Sequence, residues 1–428
     1  MLRRLRLAPK SRAAWLRAVA LVLLAPLSRA QELPPPQAAT PDMGMAGLYG
    51  PYAMEREGSG TSWQPDSTAE SGLHASSGPW MGMLHGFADA LYDDQGGPRG
   101  GTKAFSTSML MLMGRRELGD GALGLRLMVS ADPLMGKEGY PLLFQTGETA
   151  DGREPLIDRQ HPHDLIMEAA ASYSLNLTSA SSLFVYAGLP GEPALGPQAF
   201  MHRLSGMDNP EAPLSHHWLD STHLSYGVVT AGYTLGQVKL EASAFNAREP
   251  DQFRYNIEVR PLDSWSARLS YNPTRDWSLQ GSYGYLASPE QLEPQLNVRR
   301  TTASASYNAP LGRWWQTTFA WGRNAPSAGP ASDAWLLESA VQLSPAHTVF
   351  ARAERVAKDE LFLAGSPLYG RTFTINTLTA GYIYDFAHLR ALRLGVGALV
   401  SVYRYPGALD PDYGASPVSF MVFVRARL

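Results

Sequence analysis

Between Trp80 and Leu428 the chain repeats one pattern sixteen times: a segment of about 10–13 residues in which apolar and polar side chains alternate, closed by turn residues. The segments fall at roughly 81–91, 104–114, 121–132, 164–177, 180–190, 220–234, 236–247, 262–272, 276–287, 299–309, 313–323, 334–344, 347–357, 371–384, 390–404 and 416–428. A period of two marks strands with two unlike faces. The connections alternate as well. Short ones such as Thr178-Ser179, Pro273-Thr274-Arg275 and Pro345-Ala346 follow long ones such as Pro133–His163 and Pro190–Leu219. Alternation of this kind predicts an up-and-down antiparallel barrel of about 16 strands, with both chain ends on the short-turn rim. A soluble sandwich has no reason to alternate its loops, and a propeller would show a four-strand repeat. Nothing beyond the N-terminus reaches 18 consecutive apolar residues, so a helix cannot carry this chain across a membrane but a closed barrel can.

The face chemistry agrees. Val418, Phe420, Val422, Val424, Ala426 and Leu428 share one face of the last segment, opposite Ser419, Arg425 and Arg427. Leu125 and Leu127 oppose Arg126, and Trp265, Leu269 and Tyr271 oppose Ser266, Arg268 and Ser270. Arginine recurring on the polar face suits a wet lumen, so the apolar face is assigned to lipid. Trp265, Trp277, Trp314, Trp315, Trp335, Tyr403 and Tyr405 collect near segment ends, as an interfacial girdle does.

The N-terminus reads as an address. Arg3 to Arg17 form a basic region, Ala18–Leu27 an apolar core, and Ser28-Arg29-Ala30 a small-residue cleavage site, which predicts a cleaved signal peptide over 1–30. Residues 31–79, rich in Pro, Gly and Ser, read as a flexible leader or plug ahead of the 80–428 barrel. Without the first thirty residues, 29 basic residues face 39 acidic ones, and so acidic a chain makes no nucleic-acid partner. The absence of cysteine excludes disulfides, thiolate metal sites and a lipidated N-terminal Cys.

On these residues the chain resembles the porin-like outer-membrane β-barrels of Gram-negative bacteria. The C-terminal strand resembles that family's assembly signal, ending on Leu428 where the family usually ends on Phe. The resemblance implies an outer-membrane location, outer-membrane lipid and the assembly machinery as partners, and a homotrimer as the expected oligomer. Sixteen strands is a size that leaves an aqueous channel, so the expected function is passive or substrate-selective diffusion of small solutes and not an enzyme activity. The long loops Pro133–His163 and Pro190–Leu219 are the expected constriction. By strand parity Arg126, Glu168, Lys239, Glu241, Arg268, Arg300, Arg352, Glu354 and Arg393 line the pore.

Histidine and methionine raise an alternative. Six of the ten histidines lie between His161 and His223. His161 and His163 stand two residues apart beside Asp164, and His216, His217 and His223 flank the next long loop. Met81, Met83 and His85 share a face of the first segment. Imidazole with thioether is a soft donor set that favours copper, so these eight residues are candidate metal ligands. Met109, Met111 and Met113 read instead as a lipid-facing stripe. This loading resembles, more weakly, copper-resistance outer-membrane barrels with Met-rich N-termini, which implies copper or heavy-metal resistance or transport as the second function and copper as the cofactor or cargo. A third reading, a lipid hydrolase using His223 with Ser221 or Ser225 on the lipid-facing wall, has residue types but no motif behind it.

Overall fold

The computed structural model describes residues 46–69 and 72–428. The expected signal peptide and the first part of the leader lie outside the described residues. The barrel has sixteen strands: β1 Trp80–Gln95, β2 Gly101–Leu118, β3 Gly121–Val129, β4 Ile166–Thr178, β5 Ser181–Gly188, β6 Val228–Leu235, β7 Val238–Phe245, β8 Ser264–Tyr271, β9 Trp277–Leu286, β10 Val298–Ala309, β11 Trp314–Pro326, β12 Ser332–Ser344, β13 His347–Lys358, β14 Phe373–Leu389, β15 Leu392–Arg404 and β16 Val418–Arg427. Each pairs antiparallel with its sequence neighbours. The last strand closes on the first, from Arg427 opposite Phe87 to Phe420 opposite Asp94. A short strand, Leu73–Ser77, turns back onto the start of β1.

The pleat sorts the side chains. Leu112, Leu125, Leu183, Leu240, Leu269, Leu337, Val400, Val422 and Val424 point outward and are exposed. An apolar wall around a polar interior is the reverse of a soluble protein, and it makes this a membrane-spanning barrel of the outer-membrane type. Inside, hydroxyls pair across strands: Thr230 with Ser243 at 2.7 Å, Ser282 with Thr302 at 2.7 Å, Thr379 with Ser401 at 2.7 Å. The seam is held by Arg425, whose Nε and Nη2 donate to the two carboxylate oxygens of Asp89 at 2.8 and 2.7 Å.

All sixteen expected segments are strands, with differences of detail. The connection after β1 is only 96–100 and that after β11 only 327–331, because those hairpins stay paired well beyond the expected ends and turn at Gly97 and Gly329, both at positive φ. Asp220–Gly227, expected as the start of a strand, is instead a 3-10 turn at Ser221–His223 and an extended lead-in, and β6 begins at Val228. The first long loop contains a hairpin, Tyr140–Thr149 with Pro155–Gln160, which forms its own two-stranded sheet and adds nothing to the barrel. Met109, Met111 and Met113 face inward and are buried; the lipid-facing residues of β2 are Leu110 and Leu112, so the expected lipid stripe was assigned one residue out of phase. Trp314 and Tyr403 likewise face inward, Tyr403 donating its hydroxyl to Gln95, while Trp265, Trp277 and Trp335 are exposed on the outer wall.

Three times a buried phenylalanine lies across a directly paired glycine: Phe184 on Gly232, Phe350 on Gly381, Phe423 on Gly397. A Cβ at Gly381 would stand 2.2 Å from Phe350 Cζ. Gly381→Leu should therefore expel the ring and lower barrel stability by about 1–3 kcal/mol, the usual cost of overpacking. The temperature at which the folded barrel loses its compact band on a gel should fall, and an unchanged temperature would refute the packing role of this pair.

Candidate functional site

The lumen is where the chemistry collects, and three segments distant in sequence fill it. The first is 46–68. Its carbonyls meet the wall cations: Gly60 O accepts from Arg126, and Thr61 O from Lys239. Arg268 Nη2 donates to Thr61 Oγ1 at 3.0 Å, and Asn272 and Asn308 donate to Gln64 O and Ser67 O at 2.8 and 2.6 Å. Arg56 pairs with Asp66 and reaches Gly236 O, at a short turn. This segment therefore occupies the short-turn end.

The second is the connection 189–227. It leaves β5 and reaches β12 to β16, the opposite side of a sixteen-strand ring. Arg203, 2% exposed, donates to Glu338 Oε1 and to Asp220 Oδ2, each at 2.7 Å. Ser215 donates through its amide and hydroxyl to Glu354 Oε1 at 2.9 and 2.6 Å. Glu211 accepts from Ser401 at 2.8 Å and, through its carbonyl, from Arg352 at 2.7 Å. The third is the loop hairpin, whose Phe144 stacks on Tyr413 at 4.2 Å and whose Leu143 amide donates to Gln95.

The expected pore-lining charges stand out against this filling. Arg126, Glu168, Lys239, Glu241, Arg268, Arg300, Arg352 and Glu354 all face inward and are buried. Glu241 holds Arg268 and Lys239, Glu168 accepts from Tyr186 Oη, and Arg300 donates to Asn324 and Ser221. Arg393 is half-buried near the short-turn rim, opposite Arg427. Cavities of about 10, 40 and 10 Å³ lie between the segments and the wall, whereas a groove of about 860 Å³ lies on the outer, lipid-facing wall at Leu112, Leu125, Leu127 and Val229.

At the long-loop end the structure brings His161, His163, His216, His217 and His223 together. Successive rings are 5.1 Å (His216–His223), 5.4 Å (His163–His223), 5.6 Å (His216–His217) and 6.3 Å (His161–His217) apart. Each Nδ1 faces an oxygen: Asp132 for His163 and Asp220 Oδ1 for His216 at 2.8 Å, the Asp220 carbonyl for His223 at 2.8 Å, Glu148 for His161 at 3.2 Å and Glu249 for His217 at 3.3 Å. The Asp220 carbonyl and its ionised carboxylate only accept, so the neutral His216 and His223 rings carry their proton on Nδ1 and leave Nε2 bare. The Nε2 atoms of His163, His217 and His223 are buried without a partner. Imidazole anchored through Nδ1 to a carboxylate or carbonyl is the arrangement that presents Nε2 to a metal. Burial holds His161, His216 and His217 below the ordinary histidine value and takes His223 down to about 3.

His85, half-buried on β1, makes its own contacts beside a methionine. Its Nε2 lies 3.2 Å from Met111 Sδ; His202 Nε2 lies 3.3 Å from Met128 Sδ, and the two rings are 5.8 Å apart. Met83 is buried beside them and Met81 is half-buried towards the strand end. Met128 and His202 escaped the sequence reading as ligands because one lies on another strand and the other on a loop that reaches it only after folding, whereas Met111 is expected on the lipid face and turns inward instead. The hydrolase geometry is absent. His223 is buried in the lumen rather than set on the lipid face, Ser225 Oγ donates to Thr222 O, and Ser221 Oγ accepts from Arg300.

No protein-family model and no curated protein matches the chain. Solved structures do. The OmpF complex with daunomycin from Salmonella typhi aligns over 83% of this chain and all of that one, at 9% identity and a TM-score of 0.52. The outer-membrane channel DcaP of Acinetobacter baumannii aligns over 84% and 100% at 13% identity and 0.49, and OprB of Pseudomonas putida over 82% and 94% at 8% and 0.49.

The buried histidines give a pH prediction. The folded value of His223, about 3, lies below the ~6.5 of an unfolded histidine. Above pH 6.5 the ring is neutral in both states; as pH falls towards 3 only the released ring takes a proton, so packing of the loop weakens by about 1.4 kcal/mol per pH unit for this residue. In His223→Asn the pH slope of loop stability, read from hydrogen exchange over 196–224, should be shallower by one proton. An identical slope would contradict it. The wall, its polar lumen and the structural likeness agree on one conclusion: this chain has the sixteen-strand fold of the outer-membrane porins.

Proposed function

We propose that the chain is an outer-membrane diffusion channel for small solutes, narrowed or closed at rest by its own residues 46–68 and by the loops 130–165 and 189–227. One observation carries the reading. The wall charges Arg126, Lys239, Arg268, Arg352 and Glu354 find partners on segments that cross the lumen, not only on neighbouring strands. Side chains fill the middle of an eight-strand barrel, but a sixteen-strand wall leaves room for a passage. Here that room is taken by segments held through hydrogen bonds and ion pairs, which can part without breaking a strand pairing. Once exposed, the same mixed charges line the constriction and screen solutes by charge and size.

Single-channel recording in a planar bilayer tests this. The mature protein should give small or rare openings, and a variant lacking 46–68 should give stable, larger steps. If both stay silent while running as folded barrels on a gel, the channel reading fails.

A second reading, copper handling, is favoured by the two imidazole–thioether contacts, His85 with Met111 and His202 with Met128. Two nitrogens and two sulfurs form a soft set that suits Cu(I). The double variant Met111→Leu, Met128→Leu keeps the volume and removes the sulfurs. It should bind Cu(I) at least tenfold more weakly in a competition titration, and equal affinity would count against copper.

A further inference from the structure

Beside the histidine group stands a second cluster whose acidic members no sequence motif marks. One ligand atom each from His217, Glu249 and Glu290 lies within 4.8 Å of the other two. The three come from three different connections: His217 from 189–227, Glu249 from 246–263 and Glu290 from 287–297. The backbone sets them side by side. The Glu249 amide donates to Pro289 O at 2.9 Å, next to Glu290, and Asn324 Nδ2 of β11 donates to the His217 carbonyl at 2.9 Å. Gly147 lies against the His217 ring so closely that a Cβ there would stand 2.2 Å from Cε1, which leaves the imidazole one seat.

We propose that His217, Glu249 and Glu290 form a binding site for a borderline divalent cation, Zn²⁺ or Cu²⁺, that fastens three long loops to one another over the lumen. Two unpartnered atoms point to the missing ligand. His217, 9% exposed, has a buried Nε2 with no partner, and Glu249 has a buried Oε2 with none. Leaving polar atoms so placed unsatisfied is costly, and native sites that do so commonly serve an ion.

The electrostatics agree. Burial, then the neighbouring carboxylate of Glu290, pushes Glu249 well above the ordinary range. Burial, and after it the surrounding carboxylates, pushes Glu290 up to about 8. Arg300 is the cation that works against both shifts, and it is already engaged by Asn324 and Ser221. A divalent ion would supply the positive charge that the pair lacks. One imidazole with two carboxylates selects a borderline metal over the hard Ca²⁺, which prefers six to eight oxygens, and over soft Cu(I).

The test is equilibrium dialysis of the refolded, full-length protein against ZnCl₂, with the thermal midpoint read in parallel. The Glu249→Gln and Glu290→Gln variants keep the shape of each side chain and remove its charge. Wild type should bind Zn²⁺ and melt at a higher temperature with it. Each variant should lose one equivalent or at least tenfold in affinity, and lose the thermal gain. Without metal, each variant should melt close to wild type, because the amide keeps the volume of the side chain. Binding slowed exchange gives a third readout: Zn²⁺ should protect amides in 246–263 and 287–297 in wild type alone. The proposal is overturned if wild type binds no Zn²⁺, or if both variants bind it with unchanged stoichiometry and affinity.

Discussion

In hydrocarbon every backbone N–H and C=O must find a partner within the protein, and each group left over costs several kcal/mol. The pairing of β16 with β1 removes the last free edge, and the rest of the structure depends on it. Closure fixes the strand number. The strand number fixes a ring wider than its own side chains can fill. The pleat then sends alternate residues to lipid or lumen with no third choice, and so places arginine, lysine and glutamate inside, where each needs a counter-charge.

How the lumen meets that need sets this barrel apart from a bare cylinder. A buried charge without a partner is heavily penalised, whereas a paired and hydrogen-bonded one is tolerated. Arg203 of the crossing loop answers Glu338 of β12, and the carbonyls of Gly60 and Thr61 answer Arg126 and Lys239. The filling segments are thus tethered by polar contacts at their edges and by aromatic packing, as at Phe144 and Tyr413, in their middles. Contacts of this kind exchange with water more readily than a strand ladder does.

The two ends of the lumen differ in chemistry. Residues 46–68 close the short-turn end with carbonyls, hydroxyls and the Arg56–Asp66 pair. The long-loop end is closed by imidazoles and carboxylates from four connections, with Asp220 as the hub that holds Arg203 and His216 and accepts from His223. Asp220 stays well below the usual carboxylate range because Arg203 and then His216 outweigh the effect of its burial. Between the ends lies the methionine layer of β1, β2 and β3 with His85 and His202.

The number of strands, their order, and the inward direction of Arg126, Lys239 or Arg352 followed from a period of two, since parity along a strand is a local property that chain chemistry imposes without help from distant residues. The same rule failed where a segment was uniformly apolar: both faces of Met109–Met113 are hydrophobic, so period alone could not tell Met111 from Leu112, and lipid took the leucines. The sequence by itself also marked the histidines, as two close pairs, His161 with His163 and His216 with His217, each at the end of a long loop. It could not pair His217 with Glu249 and Glu290, or His202 with Met128, because those partners sit on separate connections whose ends meet only after the ring has closed. Strand identity was decided by local alternation; the filled lumen and its candidate sites were decided by which loops fold inward, and that depends on charges contributed from the opposite wall.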